Sequence, residues 1–286
     1  MFIVDSQVHI WKAQSPQRPW VAHGRERMMS QGHKMEEFTY GECLRLMDEA
    51  GVKRVILVPP SWEGDRIDYA LEACERHPDR FGIMARIPLD RPQEAKAMLR
   101  AWRGVPCIKG IRLSFNHPVD GKWITDGTAD WYWSYAEEHD IATMLNAPAW
   151  KRQIGDIASA HPRFKIILDH MGILTRTVDD AVRPWIAETI DLRRHANVYV
   201  KISALPAYST QPFPYHNLSG CVRSLIDAFG PRRCFWGTDI TRLMSRGLTY
   251  KNTVEHFTKY MTLTVQELDW VMGRALCECL NWPVPI

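Results

Sequence analysis

The sequence predicts an α/β fold: a single (β/α)8 TIM barrel, regular or distorted. Three observations point there. Eight short apolar runs are spread along the 286 residues. Segments with helical spacing separate them. Several runs end in a polar residue able to do chemistry, among them Gln7, His9 and Asp239. Repeated strand-then-helix order gives a parallel sheet, eight units close it into a barrel, and chemistry then sits at the C-terminal strand ends. The length suits one barrel of about 250 residues with modest insertions, so residues 1–286 are read as one domain.

The strand candidates are Phe2–Ser6, Arg54–Val58, Phe81–Ile87, Ile108–Leu113, Ala142–Leu145, Lys165–Leu168, Val198–Ile202 and Cys234–Trp236. Most are near-continuous apolar runs, as strands buried on both faces are; Ala142–Leu145 carries the weakest signal. Helices are expected between them. Thr39-Tyr40-Gly41-Glu42 has the pattern of a capping box, followed by Leu44, Met47 and Ala50 at helical spacing and by Gly51 as a stop. Asp68–His77, a segment from Pro92 to Arg103, Trp131–Glu138, Lys151–Ala160, Trp185–His195 and Ser219–Phe229 follow. A last helix opens on Thr264-Val265-Gln266-Glu267, a second capping box, and runs through Leu280.

Two stretches lack periodicity. Residues 12–38 follow the first strand, so they leave from the expected active face. Trp20, His23, Arg25 and Arg27 suit them to a lid over substrate, with a solvated insertion as the alternative. Leu205–Asn217, with three prolines, reads as a second irregular loop on the same face.

Thirty-six basic and 33 acidic residues leave a net charge of +3, which gives no electrostatic case for nucleic acid or an anionic membrane as a partner. No run approaches the roughly 20 apolar residues of a membrane span, and Phe2-Ile3-Val4 follows Met1 without the features of a secretory signal. Seven cysteines with no CxxC pair are expected to be reduced thiols in a cytoplasmic protein.

Asp5-Ser6-Gln7-Val8-His9-Ile10-Trp11 resembles the opening of the amidohydrolase superfamily, where D-x-H-x-H-x-W ends the first strand. Ile108–Leu113, Ile167–Gly172, Asn197–Ser203, Phe235–Asp239 and Gly273-Arg274-Ala275 resemble later segments of its lactonase-like branch, in order and over essentially the whole chain. That branch holds 2-pyrone-4,6-dicarboxylate lactonase, L-fuconolactonase and related hydrolases. The resemblance implies hydrolysis of a small molecule. Two positions depart from the branch's metal-binding pattern: Gln7 replaces the first histidine of H-x-H, and Asn146 stands where histidine is common. Amide oxygens are weak zinc ligands. His9, His170 and Asp239 remain as a two-histidine, one-carboxylate set for one divalent ion, zinc or manganese. No cofactor is the favoured expectation.

Asp239 is the first candidate for a general base accepting a proton from water; partial desolvation would raise its pKa towards that task. The competing reading is a carboxylate that caps the next helix. His9 and His170 are candidates to polarise a carbonyl. Arg112 is a candidate to hold a substrate carboxylate, as the matching arginine does in the resembling dicarboxylate lactonase, or to pair with a strand-end aspartate. Gln7, Asn146, Asn116, His117 and Trp11 are further candidates to contact substrate. Asp5 and Asp169 are expected to orient strand ends or histidines. Lys201 binds an anion or sits in a structural ion pair. Trp11, Trp62 and Trp150 point towards a flat or ring-shaped substrate.

The leading expectation is opening of a carboxylated lactone by water, with a homodimer left open. A metal-dependent hydrolase, decarboxylase or hydratase is the second reading, and a non-catalytic ligand-binding barrel the third.

Overall fold

A computed structural model describes residues 1–116 and 120–284. Eight strands form one parallel sheet in sequence order: β1 (Val4–Val8), β2 (Arg54–Leu57), β3 (Phe81–Ala85), β4 (Ile108–Ser114), β5 (Thr143–Asn146), β6 (Ile166–Leu168), β7 (Val198–Ser203) and β8 (Cys234–Gly237). They curve into a nearly closed (β/α)8 barrel. The first strand starts two residues later than its apolar run, so Gln7 lies within it rather than beyond it.

Alternation along the strands separates two cores. Val55, Leu57, Ile83, Val200 and Ile202 pack outward against the helices. Val4, Ile56, Met84, Met144, Ile167 and Phe235 fill the barrel's lower interior. Two residues further along several of these strands, the side chains that meet become polar: Asp169 accepts from both Arg112 and Lys201, and Lys201 also donates to Gln7. The Met144 sulfur, 3.3 Å from Lys201 Nζ, marks the boundary. The period of two thus lifts the strands out of a dry plug and into a charged layer.

The seam between β8 and β1 is bridged mainly by side chains. Asp239 N–H donates to the Gln7 carbonyl (2.8 Å). The Asp5 carboxylate accepts from the Thr238 backbone N–H (2.9 Å), the Thr238 hydroxyl and the Tyr250 hydroxyl. Gly237 makes this approach fit, because a Cβ there would lie 2.5 Å from Ser6 Oγ.

Helices cover the outside: α2 (Tyr40–Ala50), α3 (Asp68–Arg76), α4 (Pro92–Trp102), α5 (Asp130–Glu138), α6 (Lys151–Ala160), α7 (Arg183–Ile190) and α8 (Ser219–Phe229), after a short α1 (Gly24–Ser30). Thr39 caps α2 by accepting from Glu42 N–H (3.1 Å), but the Glu42 carboxylate turns to Arg45 (3.3 Å) instead of completing the box. After β8 come α9 (Ile240–Met244), α10 (Tyr250–Glu255), α11 (Val265–Asp269) and α12 (Ala275–Cys279). The box at Thr264 and Glu267 is complete. The expected continuous final helix is broken between α11 and α12. Gly273 presses onto the N-terminal strand there, and a Cβ would come within 2.3 Å of the Phe2 carbonyl. Trp270, Ala275 and Leu276 then seal the barrel floor.

Residues 12–38 are ordered rather than irregular. Short antiparallel bridges join Ser15 to Arg18 and Trp11 to Phe38, with α1 between. The helix gives little local signal: His23 precedes it in the left-handed conformation and provides no side-chain cap. Packing holds it instead, through buried Met28 and through Gly24 set close against Trp20 and Trp62. No helix among the described residues is long and apolar enough to cross a membrane.

Candidate active site

A cavity of about 240 Å³ opens at the C-terminal ends of the strands. His9, His170, Arg112, Asn146, Asn116 and Asp239 line it, together with Arg27 of segment 12–38 and with His33, Arg86 and Arg242, which the sequence did not single out. His117 lies outside the described residues.

Asp239 follows β8 directly. Asp239 is 3% exposed, and its Oδ1 is buried with no hydrogen-bond partner among the described residues. His9 Nε2 stands 3.5 Å from that oxygen. Burial pushes the Asp239 carboxyl up, but His9, His33, His170 and Arg242 pull it down further, to about 2. The raised value expected from desolvation is therefore reversed by its neighbours. Asp239 and His170 both adopt left-handed backbone, with φ of 53° and 51°. Such conformations cost about 1–3 kcal/mol each in non-glycine residues and cluster at functional sites.

A polar chain beneath the cavity fixes His9. Lys201 is fully buried and donates to Asp169 Oδ1 (2.8 Å) and to Gln7 Oε1. With its oxygen held by the ammonium, the Gln7 amide turns its Nε2 to His9 Nε2, 3.1 Å away. His9 Nδ1 lies 2.6 Å from the Val58 carbonyl. This network assigns the His9 proton to Nδ1 and leaves Nε2 as acceptor. Burial lowers the His9 pKa, so the neutral ring is an acceptor towards the site, not the carbonyl-polarising donor expected. Gln7 sits behind His9, outside the cavity lining, so it supports a neighbour rather than contacting substrate.

Asp169 also accepts from Arg112 Nε (2.9 Å). It is buried, yet Lys201 and Arg112 hold its carboxyl well below the ordinary range. Lys201 thus occupies the structural ion pair, and Arg112 combines a pairing with Asp169 and a place in the cavity wall. His170 Nδ1 is 2.8 Å from Ser203 Oγ. Burial lowers His170 to about 4. Asn116 Nδ2 donates to Asn146 Oδ1 (2.6 Å), so the two amides act as one wall.

Segment 12–38 contributes His33. Its Nδ1 is 2.9 Å from Thr241 Oγ1 on α9, and burial lowers it to about 3. Trp11 and Trp62, expected near substrate, are fully buried. They pack against His33, with ring centroids at 6.0 and 5.1 Å, and so brace segment 12–38.

Among the described residues, His9, His33 and Asp239 bring their donor atoms within 4.8 Å of one another. The expected set was His9, His170 and Asp239; His170 Nδ1 is bonded to Ser203, and segment 12–38 brings His33 beside His9 and Asp239. Two imidazoles and an orphaned buried carboxylate oxygen match the three-ligand open sites of catalytic zinc.

Arg86 and His33 mark the limits of the sequence reading. Arg86 was legible in part, as a charge inside the apolar run Phe81–Ile87. His33 lies in an aperiodic segment and carries no comparable signal.

A family model described as amidohydrolase matches residues 4–284. The chain is 25% identical over 244 residues to an L-fucono-1,5-lactonase of Burkholderia ambifaria, covering 83% of this chain and 80% of that one. It is 25% identical over 204 residues to a 4-sulfomuconolactone hydrolase of Hydrogenophaga intermedia, covering 70% and 64%. An amidohydrolase structure from Burkholderia multivorans with bound zinc superposes with a TM-score of 0.80 at 18% identity, over 99% of this chain and 100% of that one. A probable 2-pyrone-4,6-dicarboxylic acid hydrolase of Acinetobacter baumannii, with citric acid bound, gives 0.76 at 17%, over 98% and 100%. The barrel, its ordered strand-end motifs and a match across nearly the whole length agree: this chain belongs to the amidohydrolase family and is a hydrolase.

Proposed function

We propose that the chain opens a carboxylated lactone, with Asp239 as general base. The observation that carries this reading is Asp239 Oδ1, a buried acceptor without a partner beside a cavity walled by histidines and arginines. Water attacks the ring carbonyl as Asp239 takes its proton. His170, with Nδ1 accepting from Ser203, presents Nε2–H to the developing oxyanion. Collapse breaks the ring C–O bond, and the proton returns from Asp239 to the departing oxygen. Arg112, steadied on Asp169, holds the substrate carboxylate. The lactonase and lactone-hydrolase names of two relatives support this chemistry.

The cluster of donor atoms favours a metal-assisted variant as the second reading. A zinc or manganese ion held by His9, His33 and Asp239 would polarise the carbonyl and lower the pKa of bound water.

The test is Asp239→Asn on a panel of carboxylated lactones. A general base supplies about 10²–10⁴-fold, so kcat should fall by that factor. Unchanged turnover in a folded variant removes the base assignment, and binding without turnover in the wild type returns the barrel to a ligand-binding role.

A further inference from the structure

All seven cysteines are free thiols; six are buried, and Cys107 alone is half-buried. Its neighbour in space is Cys74. Both lie at the floor of the barrel, at the N-terminal strand ends, away from the cavity of Asp239. Cys74 is in the last turn of α3, and Cys107 immediately precedes β4. The start of β3 brings them together. The Cys74 thiol donates to the Phe81 carbonyl (3.5 Å), and the Cys107 carbonyl accepts from Ile83 N–H (2.7 Å). Positions two apart on a strand face the same edge, roughly 6.6 Å along it. β4 pairs with β3 only from Ile108 onwards, so the edge at Phe81 is left to Cys74. The Cys74 sulfur thereby stands beside the Cys107 sulfur.

The two thiols are chemically unequal. Cys107 reaches solvent, whereas Cys74 is 2% exposed. When Cys107 ionises, the Cys74 S–H turns from the Phe81 carbonyl to its sulfur. That bond, helped by Lys109, outweighs partial burial and Glu75 and holds the Cys107 thiol below the ordinary range. The same contact, with burial, keeps the proton on Cys74. The β3–β4 register shifts between Ile83 and Met84, and the residue it leaves out of the ladder is Lys109. An accessible sulfur of thiolate character beside a second, protonated one is the arrangement of an attacking and a resolving cysteine.

We propose that Cys107 and Cys74 form a redox-active dithiol that hydrogen peroxide converts to a disulfide. The Cys107 thiolate attacks one peroxide oxygen and the O–O bond breaks. Cys107 becomes a sulfenic acid, and the departing hydroxide leaves as water with the proton the thiol gave up. The Cys74 sulfur then attacks the Cys107 sulfur, and its proton joins the expelled hydroxyl as a second water. Two thiols lose two electrons, and one peroxide gains them. The bridge closes residues 74–107, which hold β3 and α4, into a ring at the barrel floor. Neither cysteine lines the cavity of Asp239, so the site is independent of the reaction proposed there.

The test treats the full chain with hydrogen peroxide, alkylates it with iodoacetamide in denaturant and maps the peptides by mass spectrometry. Untreated protein should alkylate at all seven cysteines. Oxidised protein should keep every thiol except Cys74 and Cys107, joined in one linked peptide that dithiothreitol releases. The unfolding midpoint should rise by about 5 °C on oxidation, as expected for closing a loop of about 30 residues in a chain of this size. In Cys74→Ser the resolving thiol is gone, and dimedone should trap Cys107 as a sulfenic-acid adduct. In Cys107→Ser, Cys74 should survive peroxide as a thiol. Seven free thiols after peroxide, a link from either residue to Cys277, the third thiol near Lys109, or dimedone adducts elsewhere ahead of Cys107 overturns the assignment. The wild-type map decides by itself if a variant does not fold.

Discussion

Lys201 gives the sharpest quantitative test. Its ammonium is fully buried and is bonded to Asp169 Oδ1 and Gln7 Oε1. Lys201→Met keeps the length and removes the charge. Breaking a buried ion pair costs about 3–5 kcal/mol. Arg112 still holds Asp169 Oδ2 at 2.9 Å, which favours the lower end, and the Gln7 oxygen loses its donor. A loss of about 3 kcal/mol is expected. Asp169→Asn should cost about as much, because it leaves two cations facing each other. The double variant should cost about 4 rather than 6 kcal/mol, a coupling of about 2 kcal/mol. Urea unfolding at constant slope measures all three. Additivity within about 0.5 kcal/mol would show that the two residues do not share one buried pair.

Other expectations follow from single sites. Burial keeps His170 neutral down to about 4, so kcat/KM should hold as pH falls until it approaches that value; an acid limb near the ordinary 6.5 would refute the buried arrangement. Gly237→Ala should cost about 1–3 kcal/mol through its clash with Ser6 Oγ, and Ser6→Ala should restore part of it, since that hydroxyl has no partner among the described residues. The Arg223 bond, with help from the Thr264 N–H, lowers Glu267 to about 2. A depressed carboxyl stabilises above its unfolded value and loses that contribution as pH falls from 4.5 towards 2. Solvent screens this surface group, so Glu267→Gln should cost about 1 kcal/mol at neutral pH. It should also flatten the acid slope of the unfolding midpoint; an unchanged slope would discount the pair.

The barrel was legible because its strands are buried on both faces and announce themselves as apolar runs. The site was legible where a polar residue ended such a run, as with Asp239, His170 and Asn146, or stood at a strand end within a recognisable motif, as with Arg112. What escaped depends on contacts between distant segments. His33 is held at the site by ring contacts with Trp11 and Trp62 and by Thr241, all distant in sequence. The His9 tautomer depends on a chain from Lys201 through Gln7, 194 residues apart. The break at Gly273 follows from the backbone of Phe2, not from any local helix signal.

The seam between the first and last strands also has a consequence for biosynthesis. Asp5 finds its partners on Thr238 and Tyr250, 233 and 245 residues later. At about 5–20 residues per second, the ribosome delivers them roughly 10–50 s after the first strand emerges. Throughout that interval β1 keeps one edge unpaired, open to pairing with other nascent chains. A circular permutant that makes β8 and β1 consecutive would turn this late closure into an early, local one, and should refold with less aggregation even where its final stability is unchanged.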